Sequence, residues 1–269
     1  MPSRDANATI IFRREVNPRL LILRIAPDGW QLPSFTPGQY ATFGIPAAAR
    51  RIETADAEVD PPKPDKLLLR AYSIASASVN RAFIEVYVNL VDSGTFTPRL
   101  FALQQGDKLW LKPTIKGMFT LDDVPKEKDI VMIATGTGLA PYMSMLRTHA
   151  DGAARRCMVL LGARHVRDLG YHEELLELSA HHPHIAYCPA VSRPEVEVEW
   201  TGHVGYVQDL WQGDWVRQTW GHRPTPETSH VFLCGNPAMV SDMKTMLGRD
   251  GFVEHSRHSP GQIHTEEYW

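Results

Sequence analysis

Four short stretches combine glycine, hydroxyl, guanidinium and thiol groups at spacings suited to holding an anion or a flat ring. The first is Thr135-Gly136-Thr137-Gly138-Leu139-Ala140-Pro141, directly after the apolar run Ile130–Ala134. Glycines there let backbone N–H groups approach a phosphate, and the start of a helix adds a favourable dipole. Pro141 suits a first helical turn, where its missing N–H costs little. No Gly-Lys-Ser/Thr follows, and Pro141 holds the place of the third glycine of a dinucleotide fingerprint. Alone, the stretch fits a nucleotide site and an unliganded strand–helix turn equally. The second is Cys234-Gly235-Asn236-Pro237, with Asn236 as an N-cap and Pro237 as the first helical residue. Cys234 ends a strand and is expected to face the crevice where doubly wound sheets bind ligands; a small apolar filler is the plainer reading of such a cysteine.

The third stretch, Arg70-Ala71-Tyr72-Ser73, puts a guanidinium and a phenol on one face if it is a strand. That pair suits a ligand with a phosphate and a flat ring, the arginine taking the anion and the tyrosine packing on the ring. A chance pairing on an exposed strand face is the alternative. The fourth, Gly94-Thr95-Phe96-Thr97-Pro98-Arg99-Leu100, follows a strand and opens a helix over about Pro98–Leu103, with Thr97 as its cap. It reads as a second anion-binding geometry or as no more than a well-capped short helix.

The elements around these stretches fall into two textures. From Ala8 to Leu121 short β-rich runs alternate with proline and glycine: Thr9–Val16, Leu20–Ala26, Tyr40–Ile45, Leu67–Ala75, Ile84–Leu90 and Lys108–Lys112. In the clearest, Ile84, Val86, Val88 and Leu90 share one face at period two. Such runs predict a small antiparallel barrel or sandwich. After Asp122, buried strand-length runs (Ile130–Ala134, Met158–Leu161, Ile185–Val191, Val231–Cys234) alternate with helices. Tyr142, Met145, Leu146 and His149 mark one helix face, and Pro237–Leu247 forms another helix. This predicts a parallel sheet covered on both faces. The charged connector Val124–Lys128 sets the expected boundary, giving domains 1–124 and 125–269. Between two strands, Pro46–Lys66 carries few apolar side chains and reads as a solvated excursion, with a lid or partner-contact role as the sharper alternative.

Composition narrows the chemistry. The chain has 269 residues, with 28 Lys+Arg against 31 Asp+Glu, a net charge of −3. It lacks the basic excess of a nucleic-acid binder. No apolar run reaches the ~18 residues of a membrane span, and no secretory leader is expected. Cys157, Cys188 and Cys234 are too dispersed for a zinc site, a disulfide framework or an iron–sulfur cluster, so a reducing compartment is expected and any electron carrier must be a separate protein. His181-His182-Pro183-His184 fits no common ligand spacing; a polar loop is expected there and no metal.

In order, Pro37-Gly38-Gln39-Tyr40, Arg70-x-Tyr72-Ser73, Gly94-x-x-Thr97-x-x-Leu100, Thr135-Gly136-Thr137-Gly138-x-x-Pro141, Cys234-Gly235-Asn236-Pro237 and the terminal Glu266-Glu267-Tyr268-Trp269 resemble the bacterial ferredoxin–NADP reductase (flavodoxin/ferredoxin reductase) family over nearly the whole chain. The resemblance implies an antiparallel Greek-key β-barrel that binds FAD, then a parallel-sheet, Rossmann-like nucleotide-binding domain, with FAD at their interface. It implies that Arg70 holds the FAD pyrophosphate, that Tyr72 packs on the isoalloxazine and that Ser73 lies near its N5. Gly94, Thr97 and the helix support the pyrophosphate, and Tyr268-Trp269 fold back onto FAD. On the other side Thr135, Gly136, Thr137, Gly138 and Gly235 face the pyridine nucleotide, and Cys234 lies beside the nicotinamide. Ser73 and Cys234 are the catalytic orienting groups.

The family reads the 2′-phosphate of NADP with arginines, matched by Arg164 and Arg193, while His203 stands where close relatives have a further arginine. Histidine carries its full charge only when protonated, so NADP(H) preference is expected to weaken as pH rises. The implied activity is hydride exchange between NADP(H) and flavin, with single electrons exchanged with a separate ferredoxin or flavodoxin, in a cytoplasmic monomer. Arg4, Arg13, Arg14, Arg19 and Arg24 form a basic docking face for an acidic carrier or are scattered solvated residues. An oxygenase reductase component, an NAD(P)H-dependent flavin or quinone reductase, and a non-catalytic flavin-binding subunit are the alternatives. The excursion is longer than the connection in many bacterial members, and Thr265 replaces a residue that is small and apolar in close relatives.

Overall fold

The computed structural model describes residues 5–152, 155–195 and 199–267. Its contacts divide the chain into two units: Met1–Thr120 with Met143–Thr148, and Leu121–Tyr142 with His149–Trp269.

Among the described residues the first unit carries strands β1 (Ala8–Asn17), β2 (Leu20–Pro27), β3 (Tyr40–Pro46), β4 (Leu67–Ser73), β5 (Ile84–Asn89) and β6 (Lys108–Leu111), and one short helix, α1 (Thr97–Ala102). They form an antiparallel sheet in the order β4-β3-β6-β1-β2-β5. The bridge Ile74↔Val86, with Ala75 N–H donating to Glu85 O at 2.8 Å, joins the two ends and closes the barrel. Closure leaves no free edge for stray pairing. Ile84, Val86, Val88 and Leu90 do face one core, with Ile10, Leu21, Leu23, Phe43 and Leu111. The opposite face of β5 is buried too, through Glu85 and Tyr87, which a two-residue period alone does not reveal.

The second unit holds β7 (Asp129–Thr135), a 3-10 turn over Gly136–Leu139, α2 (Ala140–His149), β8 (Cys157–Ala163), α3 (His172–His181), β9 (Ile185–Val191), β10 (His203–Val204), α4 (Val207–Gln212), α5 (Trp215–Trp220), β11 (Ser229–Gly235), α6 (Pro237–Arg249) and β12 (Ile263–Glu267); residues Met143–Thr148 of α2 count with the first unit. The strands are parallel in the order β10-β9-β8-β7-β11-β12. The chain winds outward from β7 in one direction, then returns to β11 on its other side. The topological switch point therefore falls between β7 and β11, where open α/β sheets take ligands. The near-continuous apolar strands are what a sheet buried on both faces requires: β7 from Asp129 to Ala134 and all of β11 are buried. Asn236 caps α6, its side chain accepting from Ala238 N–H at 2.8 Å, with Pro237 next to it. The antiparallel barrel and the parallel nucleotide-type sheet expected from the sequence are both present. No helix among the described residues is long and apolar enough to cross a membrane.

Candidate functional site

At the switch point the two glycine-containing junctions lie against each other. Thr135 Oγ1 accepts from Asn236 N–H at 2.8 Å. A Cβ on Gly138 would stand 2.8 Å from Gly235 Cα and closer still to the Cys234 carbonyl; one on Gly235, whose φ is +132°, would stand 3.0 Å from Thr135 N. These two glycines let main chain meet main chain across the switch point. Gly136, at φ +54°, has open space around its missing side chain, so it is the glycine of this loop that leaves room for a ligand. Thr135 and Thr137 are half-buried. Cys234, expected to face a crevice, is wholly buried.

Arg164 follows β8 directly, Arg193 lies just beyond β9 and His203 opens β10, so all three sit at the carboxyl edge of the same sheet. Arg193 N–H donates to Arg164 O at 2.8 Å, and His203 pairs with Ala190. Both arginines are exposed. His203 differs from them: its Nε2 is buried without a hydrogen-bond partner, 4.0 Å from Asp209 Oδ2. Asp209 also accepts from Tyr206 N–H at 2.7 Å, so a carboxylate unforeseen from the sequence stands beside the histidine.

In the barrel, Arg70 and Tyr72 share a face of β4, paired opposite Phe43 and Ala41. Tyr72 is half-buried, its ring 6.1 Å from Phe43 and 5.9 Å from Phe96. Burial raises its phenol pKa well above the ordinary value, with Arg70 pulling the other way. Arg70 is exposed and donates to Leu69 O at 2.8 Å; among the described residues no carboxylate lies within ion-pair distance of it. Ser73 is buried at the end of β4.

Two expectations in the barrel are corrected. Thr97 is not the cap of α1: the N-cap position is Phe96, without a side-chain capping bond. The Thr97 hydroxyl instead accepts from Val91 N–H at 3.0 Å and donates to Val91 O at 3.2 Å, stitching the turn that contains Gly94. The excursion is also not free in solvent along its whole length. Ala47 is buried, Ala49 and Ile52 pack against the barrel core, and Ile52 N–H donates to Pro98 O at 3.1 Å. Glu58 receives both Arg51 and Arg99 at 2.7 Å, and these three side chains are only 10, 17 and 5 % exposed. The Arg99 hydrogen bonds hold the Glu58 carboxyl below its usual pKa range despite its burial. Ion pairing adds to these few apolar anchors, while Arg50, Glu53 and Val59 stand exposed.

The arginines considered for a basic face are engaged as well. Arg13 pairs with Glu15 at 3.4 Å, Arg19 with Asp92 at 2.6 Å and Arg24 with Glu85 at 2.7 Å. Glu85, 1 % exposed, also holds Arg147 of α2 at 2.6 Å. Arg4, Tyr268 and Trp269 lie outside the described residues. Among the described residues no group of three or more His, Cys, Asp or Glu side chains is placed to hold a metal.

A closed antiparallel barrel followed by a parallel sheet with glycine-containing junctions at its switch point defines the two-module class of pyridine-nucleotide oxidoreductases. Residues 132–245 match the oxidoreductase NAD-binding domain family. The chain is 32% identical over 210 residues to the flavodoxin/ferredoxin–NADP reductase of Buchnera aphidicola (strain Bp), covering 77% of this chain and 83% of that one. It is 32% identical over 238 residues to the Escherichia coli protein of the same name, covering 87% and 88%. A crystal structure of a ferredoxin NADP+ reductase from Neisseria gonorrhoeae with bound FAD and NADP superposes with a TM-score of 0.81 at 24% identity, over 98% of this chain and 99% of that one. The chain belongs to the flavodoxin/ferredoxin–NADP reductase family.

Proposed function

We propose that this chain is a FAD-dependent reductase that exchanges hydride between NADP(H) and its flavin, and single electrons with a separate ferredoxin or flavodoxin. Residues 1–124 are then the FAD-binding domain and 125–269 the NADP-binding domain. The observation that carries the reading is Arg70. Neighbouring arginines of the barrel, Arg13, Arg19, Arg24, Arg51, Arg99 and Arg147, each hold a carboxylate. Among the described residues Arg70 stands exposed without one, on the same face as an aromatic ring. That donor set fits a ligand with a pyrophosphate next to a flat ring.

Bound FAD supplies the conversion between two-electron and one-electron transfer. Arg70 binds its pyrophosphate, Tyr72 packs on its ring system, and Ser73 orients the reacting edge. On the nucleotide side, Gly136 and Thr137 receive the pyrophosphate of NADP(H), Gly138 and Gly235 fix the two junctions, and Cys234 shapes the nicotinamide end. Arg164, Arg193 and His203 read the 2′-phosphate, giving NADP(H) preference. The thiols of Cys157, Cys188 and Cys234 are buried and form no disulfide among the described residues, in keeping with a reducing, cytoplasmic setting. The resemblance leads us to read the chain as a monomer.

The test is an anaerobic titration. The purified protein should be yellow, should bleach with NADPH, and should recover its colour when oxidised ferredoxin or flavodoxin is added. A colourless chain that takes up no FAD overturns the reading. Equal kcat/KM for NADPH and NADH at neutral pH reverses the nucleotide assignment.

A further inference from the structure

We infer that Glu58, acting through Arg51 and Arg99, is a positioning residue that orients the turn at residues 92–96 toward the flavin pyrophosphate; this rests on the flavoprotein reading above. The two guanidinium groups aim N–H donors at main-chain carbonyls as well as at Glu58. Arg51 donates to the carbonyl oxygens of Gly94 at 3.2 Å, Asp92 at 3.4 Å and Asp56 at 2.5 Å. Arg99 donates to those of Thr95 at 2.7 Å and Ala47 at 2.9 Å. Three successive-but-one and adjacent carbonyls of the turn, Asp92, Gly94 and Thr95, are thus drawn to one cationic side.

In a planar trans peptide the N–H points opposite to the C=O it shares. Fixing those three carbonyls therefore turns the N–H groups of Ser93, Thr95 and Phe96 the other way, together. Successive N–H groups turned to a common side attract an anion, and the cations behind the turn reinforce that potential. Thr97 locks the same turn from inside through Val91. The arginines themselves are spent on protein acceptors, so they act on an anion only through the turn.

Glu58 makes the arrangement possible. Two guanidinium groups sharing a buried site repel each other, and the carboxylate between them holds both in place. Its Oε1 and Oε2 accept from Arg99 at 2.7 and 2.9 Å, and Oε1 lies 2.7 Å from Arg51. The excursion that looked unanchored is, on this account, a strap whose end-point is a cofactor-holding turn.

The experiment measures FAD release from the holoprotein of wild type and Glu58→Gln by the rise of free-flavin fluorescence after dilution. It also measures the thermal midpoint of each protein with and without FAD. The expected result is at least about tenfold faster release, together with a smaller FAD-dependent gain in midpoint. Unchanged release overturns the proposal. So does faster release in which the apoprotein and holoprotein midpoints fall equally, because that marks a role in stability alone. If Glu58→Gln yields no folded apoprotein, Arg51→Gln is read by the same two measurements and the same criteria. A wild-type chain that takes up no FAD sinks the flavoprotein reading itself, a result distinct from a strap that proves idle.

Discussion

At the switch point of the parallel sheet the candidate site is made of main chain. Gly138 and Gly235 bring two strand–helix junctions into contact, and Thr135 ties them through Asn236 N–H. In the barrel the work is done by side chains. Two glutamates, part-buried Glu58 and buried Glu85, each hold two arginines, and these clusters fix the turn next to α1 and hold the segment Met143–Thr148 to β5 within the first unit. The difference follows from topology. Parallel strands all end at one edge, so their loops converge without help. Antiparallel strands end alternately at both edges, and a barrel must brace a loop from the side if it is to be held at all.

Breaking the side-chain bracing should therefore cost most. Glu85→Ala leaves Arg24 and Arg147 without their shared carboxylate, and about 3 kcal/mol should be lost, at the low end for a buried pair because Arg24 is 39 % exposed. Urea unfolding measures it; a loss below about 1 kcal/mol would make the cluster ornamental. Charge also governs the next effect, now in the parallel unit. His264 and His230 stack on each other 3.0 Å apart at their ring nitrogens, His264 also stacking with His255 and Phe232; they are pushed down to about 3 and about 4, first by burial and then by neighbouring histidines and cations. Unfolded, both take up protons near their ordinary value of about 6.5. The unfolded state thus binds more protons across this window, so stability is full above about pH 6.5 and falls as pH drops toward 3–4. Thermal midpoints against pH should show that slope, and His264→Phe should flatten it.

The main-chain site is tested by a pair of glycines. Gly138→Ala places a methyl group against backbone that has nowhere to go and should cost about 1–3 kcal/mol. Gly136→Ala meets only the backbone penalty of a positive φ, about 1 kcal/mol. Equal losses would show that close approach of the junctions is not what demands glycine. The smallest effect belongs to a cap: Asn236→Ala removes the bond to Ala238 N–H and should lower stability by about 1 kcal/mol.

Much of this was legible in the residues. Local patterns carried the strands, because period-two and continuous apolar runs report burial directly, and the start of α6 could be read from Asn236 and Pro237. Arg70 and Tyr72 could be placed on one face by alternation alone. Thr97 misled for a physical reason: a threonine before a proline suits a cap, but its hydroxyl found nearer partners in the folded-back Val91. Glu58 gave no signal in sequence. One acidic residue among several in a proline-rich segment looks solvated, and its partners lie 7 and 41 positions away in the chain. Asp209 beside His203 was hidden for the same reason.

The order of elements, the two textures of the chain and the glycine, arginine and hydroxyl groups of the candidate sites were determined by the sequence alone, since each depends on neighbours a few residues away. Which side of the sheet became the switch point, which glycines serve packing and which leave room, and which charges were buried in pairs were decided only by tertiary structure. These depend on groups brought together by folding, and a buried charge is tolerated only where a partner meets it.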